Sequence, residues 1–187
     1  MATSRVKTSS ILQGFPKSRS LLTGNTAYDP GATFLIDSVT VGSGGTSSIT
    51  FSSIPSTYKH LQVRAFLKGT AASNRNLTFN GITSGYFQHR LEGSGSSASA
   101  GGYTSQSQIA MPITSSQWGA IIFDFLDYTD TNKNKTVRML GGYDDNGSGF
   151  IGLTSGSVAN TAAITSITIA GDTWQQYSSF SLYGYTG

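Results

Sequence analysis

Over most of this chain, large apolar side chains return at every second position, in short runs that end in clusters of glycine, asparagine, aspartate and serine. A period of two puts successive side chains on opposite faces of an extended strand, whereas an amphipathic helix needs returns every three or four residues. In His60 to Lys68 the apolar Leu61, Val63, Ala65 and Leu67 point one way, and Gln62, Arg64 and Lys68 the other. The alternation recurs in Val39 and Val41, Ile49 and Phe51, Leu77 and Phe79, Ile109, Met111 and Ile113, Val137 and Met139, Ile167 and Ile169, and Phe180 and Leu182. Between them, Gly42 to Gly45, Asn80-Gly81, Asp145-Asn146-Gly147 and Gly171-Asp172 have the residue types that tight turns demand. The pattern predicts roughly nine or ten strands in an all-β fold, an antiparallel β-sandwich of jelly-roll-like kind over residues 32–187.

Two stretches break the pattern in opposite ways. Trp118 to Tyr128 is apolar at both phases of the alternation, as expected of a central strand covered on each side, by its own core and by a second subunit. Gly93 to Gly102 consists of glycine, serine and alanine, too small to fill a core, and is expected to form a long loop that is mobile or ordered by a partner.

Residues 1–31 differ from the rest. Pro16 and Pro30 block regular structure, and Ile11 with Leu12, Phe15, and Leu21 with Leu22 cannot share one helical or strand face across Gly14 and Pro16. An extended N-terminal arm is expected, ordered against a neighbouring protein rather than left free in water with its large apolar groups. Charge separates the same two regions. Arg5, Lys7, Lys17 and Arg19 against Asp29 carry the whole net charge of +3, and the remaining eight basic and eight acidic residues cancel. An acidic partner at one end of the molecule is implied, and nucleic acid is not. Charged residues make up only 11% of the chain, which leaves little repulsion between copies and suits a subunit of an assembly.

Little in the chain invites catalysis. Cysteine is absent, which excludes disulfides, thiol nucleophiles and thiolate-bound metals. His60 and His89 stand apart in strand-like segments, outside any metal-binding spacing. Asp127 with Asp130, and Asp144 with Asp145, lie beside asparagine-rich loops; a calcium loop or an acid pair is conceivable, but the ligand alternation is wrong and Asx turns explain them more simply. The glycine runs lack the lysine and hydroxyl of a phosphate loop. No cofactor and no metal are expected. No run of about 18 apolar residues exists for a membrane span, and no export signal is recognisable. Tyr103, Trp118, Trp174 and Tyr177 are candidates for stacking on a glycan or for contacts between subunits.

Several segments resemble a family of virion structural proteins of cyanobacterial and marine tailed phages: SSILQGFPKSRSLL (9–22) followed by GNTAYDP (24–30), SSIPSTYKHLQVR (52–64), HRLEGSGSSASAG (89–101), FDFLDYTDTNKNKTVR (123–138) and AITSITIAGDTWQQYSSFSLYGY (163–185). The resemblance implies a non-enzymatic protein on the surface of a particle, made in the host cytoplasm. A receptor-binding fibre needs a shaft of heptads, repeats or collagen-like triplets, which this sequence lacks. Capsid decoration is therefore the first expectation: a cement protein, grouped as a homotrimer, that clamps neighbouring copies of the major capsid protein through Arg5, Lys7, Ile11, Leu12, Phe15, Lys17, Arg19, Leu21 and Leu22. The alternatives are a short tail or head fibre, an adhesin whose sandwich binds a host-surface glycan, and, last, a glycan-degrading enzyme.

Overall fold

The computed structural model describes residues 33–70, 75–113 and 117–186. The arm and its nine predicted contact residues lie outside the described residues.

Among the described residues twelve strands form, two or three more than the alternation alone predicts: β1 (Thr33–Thr40), β2 (Thr46–Phe51), β3 (His60–Leu67), β4 (Asn76–Phe79), β5 (Tyr86–Ser94), β6 (Ser97–Gln106), β7 (Ile109–Ala110), β8 (Gly119–Phe125), β9 (Lys135–Asp145), β10 (Ser148–Val158), β11 (Ile167–Trp174) and β12 (Ser179–Tyr185). All pairings are antiparallel. One sheet has the order β1-β12-β3-β8-β9-β10-β5-β6 and the other β2-β11-β4-β7.

The pairings nest. First strand meets last (β1 with β12), second meets second-last (β2 with β11), β3 meets β8, and β4 meets β7. Eight strands nested in this way, divided into the four-stranded sets β1-β12-β3-β8 and β2-β11-β4-β7, are a jelly roll. Two hairpins are inserted into it, β5–β6 between β4 and β7, and β9–β10 between β8 and β11. They join each other through β10 and β5 and extend the larger sheet beyond β8.

The core lies between the sheets. Leu61, Val63, Ala65 and Leu67 of β3 are all buried, as their spacing predicts, with Ile121, Phe123 and Phe125 of β8 and Phe180 and Leu182 of β12. Phe51, Leu77, Phe79, Ile167 and Ile169 meet them from the small sheet. Rings lock the layers edge to face, Phe79 on Phe125 at 5.6 Å and Trp174 on Phe180 at 5.5 Å between centroids.

Two local expectations are corrected, and one strand goes unforeseen. Gly93 to Gly102 is not a long loop: it belongs to the β5–β6 hairpin, turning at Gly95-Ser96 with Gly95 at φ 56°. Its small side chains gave no alternation to read, yet backbone pairing with β5 needs none. Gly171-Asp172 does not end a strand but lies within β11, where the register against β2 slips between Ala170 and Trp174. Segment 148–158, which shows no inward-facing apolar series, is nonetheless a strand, β10. Asp145-Asn146-Gly147 behaves as predicted: Asn146 and Gly147 take φ of 50° and 99° and close the β9–β10 hairpin.

Candidate functional site

The largest organised feature outside the core is the outer face of the eight-stranded sheet. Cross-strand register places its side chains in rows. One row runs Arg64, Ile122, Leu140, Leu153, Leu91, Ala100 across β3, β8, β9, β10, β5 and β6, and the next runs Phe66, Ala120, Gly142, Ile151, Gly93, Ala98. Six large apolar residues in these rows are exposed: Phe66, Leu91, Ile122, Leu140, Ile151 and Leu153, with Ile151 the most open at 61%. Scattered apolar residues are normal on a protein surface, but here they adjoin one another in a field across the sheet.

The field is corrugated. Bulk and gap alternate along the second row, leaving a hollow of about 430 Å³ over Gly142, beside Ala120, Ile122, Leu140 and Ile151. Another, of about 310 Å³, lies over Gly93 beside Leu91, Ala98 and Leu153. Leu140 and Ile151 line both hollows and form the ridge between them. Gly142 has no alternative here, because a Cβ would stand 2.5 Å from the carbonyl oxygen of Phe150.

A polar row borders the field: Gln62, Asp124, Arg138, Ser155, His89 and Gly102. Gln62 donates to Asp124 Oδ1 at 2.7 Å and its Oε1 accepts from Arg64 at 2.6 Å and Tyr185 at 3.0 Å. Arg64 also lies over the Tyr183 ring, 5.2 Å from its centroid.

Why these apolar groups face outward is visible on the inner side. Along β10 the inward positions are Gly152, Thr154 and Gly156, pressed so closely that a Cβ would stand 2.6 Å from Pro112 at Gly152 and 2.7 Å from Ile109 at Gly156. Along β5, Gln88 points inward and accepts the Ala110 backbone N–H at 2.7 Å, and Arg90 pairs with Glu92 at 3.2 Å. Ile151, Leu153 and Leu91 occupy the opposite phase and are therefore displayed.

Among the predicted glycan or subunit contacts, Trp118 alone adjoins this field, stacked on Phe66 at 5.1 Å with an interplanar angle of 6°. Trp174 is fully buried, its ring against the guanidinium of the equally buried Arg75 at 5.2 Å, and is corrected from surface contact to core. Tyr103 sits on β6 beneath Arg90, whose Nη2 donates to its hydroxyl at 2.7 Å. Tyr177 is 69% exposed in the β11–β12 turn. Six strand spacings separate β12 from β6, about 29 Å, so Tyr103 and Tyr177 form no common platform.

The carboxylates of Asp127 and Asp130 are claimed by lysines. Lys133 bridges Asp127 at 2.8 Å and Asp130 at 3.1 Å, and Lys59 reaches Asp127 from the other side at 3.0 Å. Hydrogen bonds from Lys133 and Lys59 hold the Asp127 carboxyl down at about 2. Asp130 Oδ1 accepts the Asn132 backbone N–H at 2.9 Å, the Asx turn expected there. Behind it the buried Lys135 donates to the carbonyls of Asp130 and Lys133, and burial lowers its pKa. His60 Nδ1 accepts the Asp127 backbone N–H at 3.0 Å, a structural use of that histidine. Asp145 accepts from Gln117 at 3.2 Å. Among the described residues no group of three histidines or carboxylates stands together as metal ligands do.

No protein-family model matches the chain, and a search of curated proteins finds no match.

The alternation rule names inward residues and so passed over Leu91, Leu140, Ile151 and Leu153. A signal was present: Met139-Leu140 is apolar at both phases, and Ile151 and Leu153 keep the strand period between glycines.

Proposed function

We propose that this chain is a non-enzymatic structural protein of a bacteriophage particle, most closely a capsid decoration or cement protein. In this reading the N-terminal arm clamps neighbouring copies of the major capsid protein, and the jelly roll lies on the particle surface with its broad sheet engaged in the assembly. The observation that carries the reading is the corrugated apolar field on the outer face of the eight-stranded sheet, an extent of exposed apolar surface that suits a subunit better than an isolated protein. The near-neutral body and low charge content support it, as do the segments resembling phage virion proteins. Jelly rolls also occur in shell and lectin domains, which is support by analogy only. The adhesin reading rests on the exposed Tyr177 and is weaker, because its would-be glycan aromatics are dispersed or buried.

Copy number tests the proposal. Mass spectrometry of purified particles should find this chain on the order of hundreds of copies, in fixed ratio to the major shell protein, as shell symmetry requires. A few to a few dozen copies would favour the fibre, and absence from the particles would end the virion reading.

A further inference from the structure

We propose that the occupant of the apolar field is a second copy of this chain, related by a two-fold axis, so that two eight-stranded sheets meet outer face to outer face. This rests on reading the field as an assembly surface, and names its partner.

Area is the first argument. The six large residues, each 40–61% exposed, supply part of the about 800 Å² that each partner brings to a standard protein interface. Ala98, Ala100, Ala120 and the bordering polar row supply the remainder. Shape is the second. The Leu140–Ile151 ridge and the hollows over Gly142 and Gly93 belong to the same surface, and a two-fold axis presents the ridge of each copy to a hollow of the other. Two sheets stacked at about 10 Å with interdigitating side chains are the ordinary way such faces are covered.

Charge permits the approach. Outside the arm the chain is neutral, and the polar row carries Arg138 beside Asp124, so that two such rows attract as readily as they repel.

The rival occupant within the chain, the arm of residues 1–31, fits less well on physical grounds. An extended segment laid over apolar side chains turns part of its backbone N–H and C=O groups away from water without partners on that face. A second sheet already has its backbone paired and offers side chains alone. A three-fold grouping, the sequence-based expectation, would need two different faces per copy, whereas this field is one continuous face.

Sedimentation velocity of the full-length chain tests the inference. The unaltered protein should run as a two-chain species at micromolar concentration. Leu140→Glu with Ile151→Glu should run as a single chain, its association weakened about a hundredfold or more, with an unchanged far-ultraviolet circular dichroism spectrum. Ser157→Glu, on the same face of β10 but beyond the field, should still pair. Should the double variant fail to fold, the cysteine-free background gives a second route: Leu153→Cys should form disulfide-linked pairs on mild oxidation, and Ser181→Cys on β12 should not. A single-chain wild type, a three-chain species, or pairs indifferent to the glutamates would each overturn the proposal. Pairing by a chain absent from purified particles would remove the virion reading alone. A single chain found abundantly in particles would remove the pairing alone.

Discussion

The rolled strands and the inserted strands β5 and β10 of the same sheet use the alternation differently. In β3, β8 and β12 the apolar series points inward, and polar or small groups prevail outside: Leu61, Val63 and Leu67 are buried while Gln62 and Arg64 meet water. Between Tyr86 and Val158, which reach the core, the inward series of β5 and β10 holds glycine, threonine, glutamine and arginine, and Ile151, Leu153, Phe87 and Leu91 look outward. The rolled part therefore stabilises itself. The hairpins add Tyr86, Val137, Met139 and Val158 to the core and approach β7 and Pro112 closely, while Leu91, Leu140, Ile151 and Leu153 stand exposed on the outer face.

Substitutions can break this contrast, starting with the largest effect. Phe123→Ala on the inner face should cost about 3–5 kcal/mol in chemical denaturation, because the ring is fully buried and the site cannot collapse around it. A cost under about 1 kcal/mol would mean that the two faces are not so different. Next comes Tyr86→Phe at the root of the first hairpin. The hydroxyl accepts the buried Phe79 N–H at 3.0 Å and donates to the Ile82 carbonyl at 3.1 Å. Removing it strands a buried donor and should cost about 1–3 kcal/mol, read from the same denaturation curves.

A pH series sharpens the contrast further by isolating the rolled part, since Asp127 links the end of β8 to Lys59 before β3. Its carboxyl is at about 2 in the folded chain against 3.8 for the free side chain. The folded value is the lower one, so the contribution is complete above the free-chain value and disappears as pH falls through the folded one. Wild-type stability should fall between about pH 4 and pH 2 more steeply than that of Asp127→Asn, and parallel curves would refute the assignment. The smallest effect belongs to the displayed face. At dilutions that leave single chains, Leu140→Ser should change stability by no more than about 0.5 kcal/mol, against the several expected of Phe123→Ala. Equal losses would show that Leu140 is buried by its own chain.

The sequence was legible where side chains carry the strand signal. Every residue of the inward series at Leu61 to Leu67, Ile109 to Ile113 and Ile167 to Ile169 is buried as its spacing predicts. The nesting was not legible, because β1 and β12 pair across nearly the whole described chain and nothing local in Thr33 to Thr40 names its partner. The hairpin at 93–102 was missed because glycine, serine and alanine carry no polarity to alternate, and β10 because its polarity is inverted. The candidate face was half legible. Trp118 to Tyr128, apolar at both phases, predicts a covered outer side at β8, and the register then carries that same side across β9, β10 and β5, which no single segment could announce.

Nesting also brings the first strand beside the last. Thr33 lies opposite Tyr185 at one corner of the broad sheet, a single strand spacing apart. A few added residues would bridge that gap, so a circular permutant that joins the two ends and opens at Asn146-Gly147 should keep the roll intact. Anything fused beyond Tyr185 would emerge beside Thr33, so an affinity tag meant to stand clear of the first strand belongs in the β9–β10 turn instead.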